Sequence, residues 1–215
     1  MCLENKSNQF VFGYGSLINL ESVCNTIEDK TMCENTYAVR IVNMKRGWYF
    51  RVSSSTPITL PWTTLVCSDA HHFTTNGILL PITDDELSQL DLREKGYRRM
   101  TIDTKRIECL CKNKQIPQNA TVYYYGLPSS EFTLSNHDAP LLQSYIDTCL
   151  SGCIRIDSML NTGNTEYPFT TEFLNTTQQW DKMRYWINDR VHPRRPHVFV
   201  PDSDIIDQSL QKIIL

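Results

Sequence analysis

The sequence predicts an α+β fold. Strand signals crowd the first half, helical spacing dominates the second, and one well-capped helix sits inside the strand-rich half. That order fits segregated layers better than a doubly wound parallel sheet. The 215 residues suit one domain with a substantial core. No stretch reads as a linker, so residues 1–215 are expected to form a single domain with a helical C-terminal extension from about 160 onward.

Gln9-Phe10-Val11-Phe12, stopped by Gly13, reads as a short buried strand. Asn19 is an N-cap candidate for a helix carrying Leu20, Val23, Cys24 and Ile27. Tyr37 to Val52 is β-prone, with Gly47 expected to split it or mark a bulge. Trp62–Cys67 and Gly77–Ile82 read as two strands, with the polar stretch bearing His71-His72 as a surface loop between them. Thr83-Asp84-Asp85-Glu86 is a capping box, and Leu87 and Leu90 supply the inward stripe of its helix. The acids suit the positive end of the helix dipole, and Gly96 ends the helix soon after Glu94. Strand pattern returns over Tyr97–Cys111 and Ala120–Tyr125. Helices follow over Asp138–Cys153 (with Pro140 in the first turn), Gln178–Arg190 and Asp204–Ile214.

Twenty-one basic and 24 acidic residues leave a net charge of −3, without the basic excess that nucleic acid requires. No apolar run is long enough to span a bilayer, and the polar start lacks a signal peptide's apolar region. The expected setting is cytoplasmic, with no membrane and no nucleic-acid partner. Accordingly the eight cysteines, including the local pairs Cys109/Cys111 and Cys149/Cys153, are expected to be reduced and structural. No pair has a second pair or a His at zinc-ligand spacing, so no metal is expected. The sequons at Asn5, Asn119 and Asn175 carry no weight in that setting.

Phe12-Gly13-Tyr14-Gly15-Ser16-Leu17 is the most informative segment. An apolar strand runs into two glycines flanking an aromatic residue, then a hydroxyl side chain and a helix start. Glycines permit positive φ and close ligand approach, and converging amides near a helix start can cradle a carboxylate or phosphate. A plain strand-to-helix turn would look the same. The third glycine of the dinucleotide fingerprint and the Gly-Lys-Ser/Thr ending of a P-loop are both absent.

This segment resembles the signature of the gamma-glutamylcyclotransferase-like family. A second resemblance lies in Leu90-Asp91-Leu92-Arg93-Glu94-Lys95-Gly96-Tyr97, where the family places its catalytic acid. Gln143-Ser144-Tyr145-Ile146-Asp147, and the tryptophan-rich stretch ending in Asn188-Asp189-Arg190, resemble further family segments. The resemblance implies a small closed or nearly closed mixed β-barrel with surrounding helices. It implies that the α-carboxylate of a small γ-glutamyl substrate lies on Tyr14, Gly15, Ser16 and Leu17, with Glu94 as general base and acid, and that 5-oxoproline is released. Tyr97 resembles a pocket tyrosine of the family. One of Tyr123-Tyr124-Tyr125 is expected to join it; alternation leaves open which, and Tyr125 is the candidate.

The chemistry suits these residues. The substrate's own amine attacks its own γ-carbonyl, so much of the entropic barrier is already removed. One carboxylate can take the ammonium proton and deliver it to the leaving amine, and backbone amides can stabilise the oxyanion. No cofactor, metal or covalent nucleophile is required. Glu94 needs burial to lift its pKa from about 4.3 toward about 6–7, and Arg93 and Lys95 are expected to face solvent. The alternatives are a non-catalytic small-molecule binding module on the same scaffold, and a hydrolase pairing Cys67 or Cys149 with His71, His72 or His192. The polar, proline-containing run Ser53–Pro61 is a candidate rim or lid.

Overall fold

The structure is a computed structural model that describes residues 8–27, 35–52, 61–112, 114–160, 168–180, 185–194 and 200–214. Its centre is a mixed sheet in the order β4 (Arg98–Ile102), β6 (Thr121–Gly126), β1 (Gln9–Gly13), β3 (Trp62–Pro81), β2 (Tyr37–Val52), β5 (Ile107–Cys109). β1 (Gln9–Gly13) pairs antiparallel with β3 and parallel with β6, which is why its apolar run is unbroken. The α+β class read from the sequence is the observed one. β4 and β5 are the two ends of the strand order, with no ladder between them among the described residues. The sheet curls, however, so that Leu127, just past β6 (Thr121–Gly126), donates to the Cys67 carbonyl in β3 at 3.3 Å.

β2 (Tyr37–Val52) and β3 (Trp62–Pro81) form one long antiparallel ladder. Neither is divided as the sequence suggested. Gly47 stays paired with Val66, and the register shifts fall between Val42 and Met44 and between Trp48 and Phe50. Asn43 takes the first shift with a φ of 59°, a conformation asparagine tolerates. The stretch holding His71-His72 lies within β3 but bulges out of the ladder: Asp69 faces Met44 and Thr74 faces Val42, the four residues between them stand outside the β2 register, His72 has a φ of 66°, and both histidines are exposed. It lies beyond the core with water around it, so it lacks the apolar alternation that marks a strand in sequence.

The capping box of α2 (Asp84–Arg93) forms in both directions, Glu86 N–H to Thr83 Oγ1 at 3.3 Å and Thr83 N–H to Glu86 Oε2 at 2.8 Å. The strand expected over Tyr97–Cys111 is broken by a 3₁₀ turn at Thr104–Arg106 into β4 (Arg98–Ile102) and β5 (Ile107–Cys109). Asn19 caps α1 (Leu20–Cys24) as expected, accepting from the Ser22 amide at 3.2 Å.

The second half departs further. Leu141–Leu142 enter the sheet as β7, held by the Thr63 N–H bond to the Pro140 carbonyl, so α3 (Gln143–Met159) starts later than expected. Nearly every residue of α3 is buried, a helix enclosed on all sides rather than lying on a surface. α4 (Pro168–Thr176) was not predicted. In place of the helix expected over Gln178–Arg190, the described residues form β8 (Thr177–Gln178), on β2, and β9 (Trp186–Ile187), on β7. The spacing of Trp180, Trp186 and Ile187 imitates a helical stripe. Gln179, however, adopts a φ of 71°, and Trp180 Nε1 folds back to the Leu174 carbonyl at 2.9 Å. The final helix, α5 (Ser203–Ile214), forms where expected. Among the described residues no helix is long and apolar enough to cross a membrane, and the described cysteines are free thiols.

α3 locks the turn after β1. Asn19 Nδ2 donates to the Thr148 carbonyl at 3.1 Å. Gly152 faces the Ile18-Asn19 backbone so closely that a Cβ there would sit 2.7 Å from the Asn19 nitrogen. Gly152→Ala is therefore expected to destabilise the fold by about 1–3 kcal/mol. Chemical denaturation checks this, and an unchanged midpoint would show that the contact is dispensable.

Candidate active site

The segment after β1 folds as a 3₁₀ turn over Ser16–Ile18, closed by Ile18 N–H to the Gly15 carbonyl at 2.9 Å. Such a turn leaves its first amides, here those of Ser16 and Leu17, without acceptors inside it. The glycines act through close approach rather than positive φ. A Cβ on Gly13 would meet Leu17 Cβ at 2.9 Å, and one on Gly15 would meet the Tyr145 hydroxyl at 2.9 Å. Tyr14 is buried, and its hydroxyl donates to the Tyr125 carbonyl.

Glu94 follows α2 as its C-cap, with φ −91° and ψ 30°. Its amide bonds to the Leu90 carbonyl at 2.8 Å and its carbonyl accepts from the Tyr97 amide at 2.9 Å. The side chain is only 15% exposed. Burial lifts the carboxyl above its ordinary value, against the opposing pull of the Arg93 guanidinium. Arg93 does not face solvent as expected: Nε lies 3.1 Å from Glu94 Oε1. Because Glu94 has left helical geometry, the angular separation of helical neighbours no longer applies. Arg93 also donates to Ser16 Oγ at 3.3 Å, Ser22 Oγ at 3.0 Å, the Ser22 carbonyl at 2.7 Å and Thr26 Oγ1 at 3.1 Å. One guanidinium thus spans from the Glu94 carboxylate to the turn. Lys95 is exposed, as expected.

Glu94, Ser16, Tyr97 and Tyr145 line a cleft of about 740 Å³, together with Phe50, Trp62 and Thr64. They also wall a narrow hollow of about 20 Å³, closed by Tyr14, Gly15, Leu17 and Tyr125. The hollow alone holds about one water-sized group, so a larger ligand must lie in the cleft with only its end group entering. The structure thus brings every candidate residue, Tyr14, Gly15, Ser16, Leu17, Glu94, Tyr97 and Tyr125, to one place. Among the three tyrosines of β6, Tyr125 is the one lining the hollow. Its hydroxyl donates to Asp91 Oδ1 at 2.8 Å, and that of Tyr97 to the Leu65 carbonyl at 2.8 Å. Burial raises both phenols well above their usual range.

Sequence reasoning missed Arg93, Phe50, Trp62 and Thr64 as site residues. Tyr145 was visible only as part of a resembling segment. The rim expected over Ser53–Pro61 falls, apart from Pro61, outside the described residues. The Cys/His alternative finds no support, since Cys67 and Cys149 are wholly buried in the core while His71, His72 and His192 are exposed.

Beneath the turn lies Arg46, with no exposed surface. Its guanidinium donates to the Tyr14 and Asn76 carbonyls (3.3 and 2.6 Å), Asn76 Oδ1 (3.0 Å), the Phe173 carbonyl (2.9 Å), and the hydroxyls of Thr176 (3.0 Å) and Thr177 (2.8 Å). It sits 3.8 Å from the Phe173 ring centroid. Arg46→Met would strand these acceptors in the core. A loss of more than about 3 kcal/mol is expected, read as a fall of roughly 10 °C in Tm. A shift under about 2 °C would contradict the assignment.

No family model matches the sequence, and no curated protein matches it. Comparison with solved structures finds similar ones. One described as gamma-glutamyl cyclotransferase superposes over 94% of this chain and 98% of its own length, with a TM-score of 0.50 at 12% identity. An uncharacterized protein from Homo sapiens covers 92% and 97%, with a TM-score of 0.48 at 12% identity. A gamma-glutamyl cyclotransferase specific to glutathione from yeast covers 96% and 99%, with a TM-score of 0.40 at 11% identity. The chain has the gamma-glutamyl cyclotransferase-like α+β fold.

Proposed function

We propose that this chain is a cofactor-independent gamma-glutamylcyclotransferase-type enzyme, converting the γ-glutamyl group of a small γ-glutamyl compound to 5-oxoproline and releasing an amine or amino acid. The observation that carries the proposal is the meeting of a buried, pKa-raised carboxyl with a turn whose first amides have no acceptor inside it, close enough for the Arg93 guanidinium to touch both Glu94 and Ser16.

The substrate lies in the cleft with its α-carboxylate at the Ser16-Leu17 amides and its α-ammonium toward Glu94. Glu94 takes a proton from the ammonium. The freed amine forms a bond to the γ-carbon, whose oxygen carries the transient negative charge. The bond from that carbon to the leaving nitrogen breaks as Glu94 returns its proton there, and the second proton of the new ring nitrogen passes by the same carboxylate to the released amine, which departs as an ammonium. No water is consumed, and the same carboxylate is base and then acid. Holding the chain folded for ring closure supplies much of the rate. A carboxyl raised above its ordinary value is a better match to an ammonium than an exposed glutamate would be.

The test is to incubate the protein with γ-glutamyl dipeptides, γ-glutamyl amines and glutathione and to measure 5-oxoproline. Glu94→Gln is expected to lower the rate by about 10²–10⁴-fold. Binding with no 5-oxoproline from any compound would instead identify a non-catalytic module.

The pH profile gives a second check. Activity needs ionised Glu94, and burial raises its pKa from the ordinary 4.5. The acid limb of kcat/KM should therefore lie above that value, with activity lost as pH falls through it. A limb at the ordinary glutamate value would remove Glu94 from the proton path.

A further inference from the structure

The cleft is much larger than the hollow it feeds, and its outer walls have a chemistry of their own. Two aromatic pairs flank it, Phe50 with Tyr97 at 4.6 Å between centroids and Trp62 with Tyr145 at 5.1 Å. Among the described residues around it stand three basic side chains, Arg51, Arg93 and Lys95, and one acid, Glu94, in a chain whose net charge is −3. Arg93 is committed to Glu94 and the turn. Arg51 and Lys95 are exposed, and among the described residues neither has an ion-pair partner. A positive mouth on a negative protein draws anions toward it. Aromatic walls reward large apolar groups and planar rings.

Resting on the proposed cyclotransferase activity, we propose that this outer cleft is a leaving-group subsite. It selects γ-glutamyl compounds whose leaving group is an amino acid or short peptide bearing an aromatic or large apolar side chain and a free carboxylate, over simple γ-glutamyl amines. The inner end of the cleft takes the glutamyl moiety, and that moiety's own carboxylate is met by the turn. Arg51 and Lys95 are then left for a second carboxylate beyond the scissile bond. The ring of the leaving residue lies between Phe50 and Trp62.

Three compounds separate the contributions. γ-Glutamyl-phenylalanine carries ring and carboxylate, γ-glutamyl-phenethylamine the ring alone, and γ-glutamyl-alanine the carboxylate without the ring. Two quantities are read, 5-oxoproline release by the wild-type protein and calorimetric affinity for Glu94→Gln, with Glu94→Ala as the second variant. The phenylalanine compound is expected to exceed each of the others by at least about fivefold in kcat/KM and in affinity, the scale of one or two exposed ion pairs or of a ring contact. Arg51→Ala combined with Lys95→Ala should close the gap between the phenylalanine and phenethylamine compounds, acting on KM. Trp62→Ala should close the gap to the alanine compound.

Equal turnover of all three would overturn the subsite while leaving cyclotransferase activity intact. Carboxylate-dependent and ring-dependent binding without 5-oxoproline would support the subsite and reject the activity. Absence of both binding and turnover would reject the two together.

Discussion

The buried guanidinium of Arg46 is the constraint on which the rest of the structure depends. A fully desolvated cation normally demands a carboxylate, yet its hydrogen-bond acceptors here are all neutral, three backbone carbonyls, one amide oxygen and two hydroxyls. Burial accordingly lowers its pKa. Its neutral acceptors come from β3, the turn after β1, α4 and β8, so they cannot be satisfied until segments far apart in sequence have assembled around β2. The same group that closes the C-terminal elements onto the sheet bonds the Tyr14 carbonyl. The peptide plane at the entrance to the candidate cradle is therefore fixed from below by a charge.

Around that centre the elements cap one another across long distances. Leu142 cannot cap α3, and Asp189 does so instead, accepting from the Ser144 amide and hydroxyl at 2.8 Å each. Asp157 plays the same part for α4, accepting from the Phe169 and Thr170 amides at 2.7 and 3.0 Å. Arg190 joins Asp147 in α3 to Asp207 in α5 with paired bonds of 2.7–2.9 Å. A helix as enclosed as α3 has no water to satisfy its ends or polar side chains, so those partners must come from elsewhere in the chain. What α3 gains in rigidity it passes to the site, because Tyr145 and Gly152 on the same helix fix the two ends of the turn.

What was legible in the sequence follows from how local each cause is. The capping box, the Asn19 cap and the first strand depend on neighbours within four residues, and all three formed as read. The turn and Glu94 were found through segment likeness, and the structure brings them to one cleft. Arg93 was misjudged because the inference assumed helical geometry one residue past the helix end. The helix expected over Gln178–Arg190 failed because apolar spacing was counted without the long-range partners. Trp180 and Trp186 answer to Leu174 and β7, and no window of local sequence contains those. Phe50 and Trp62 come to the cleft from β2 and β3, and the register shift between Trp48 and Phe50 leaves no mark in composition.

The position of Glu94 shows what this architecture costs and what it supplies. Because burial raises its pKa, the folded chain holds the Glu94 proton more tightly than the unfolded chain does. Its contribution to stability is therefore full below the ordinary pKa and is lost as pH rises through the raised one. Once ionised, the carboxylate is less stable in this buried setting than in water. Arg93 offsets part of that penalty, but Arg93 is tied to Ser16, Ser22 and Thr26 and cannot follow the carboxylate wherever it would go. The carboxyl is left held in place, incompletely neutralised, at the wall of the hollow that the turn also lines. Those are the properties that the proposed proton transfer requires of Glu94. They arise from contacts of Arg93, at the end of α2, with Ser16 in the turn after β1, Ser22 in α1 and Thr26 just past it, and so belong to the fold itself.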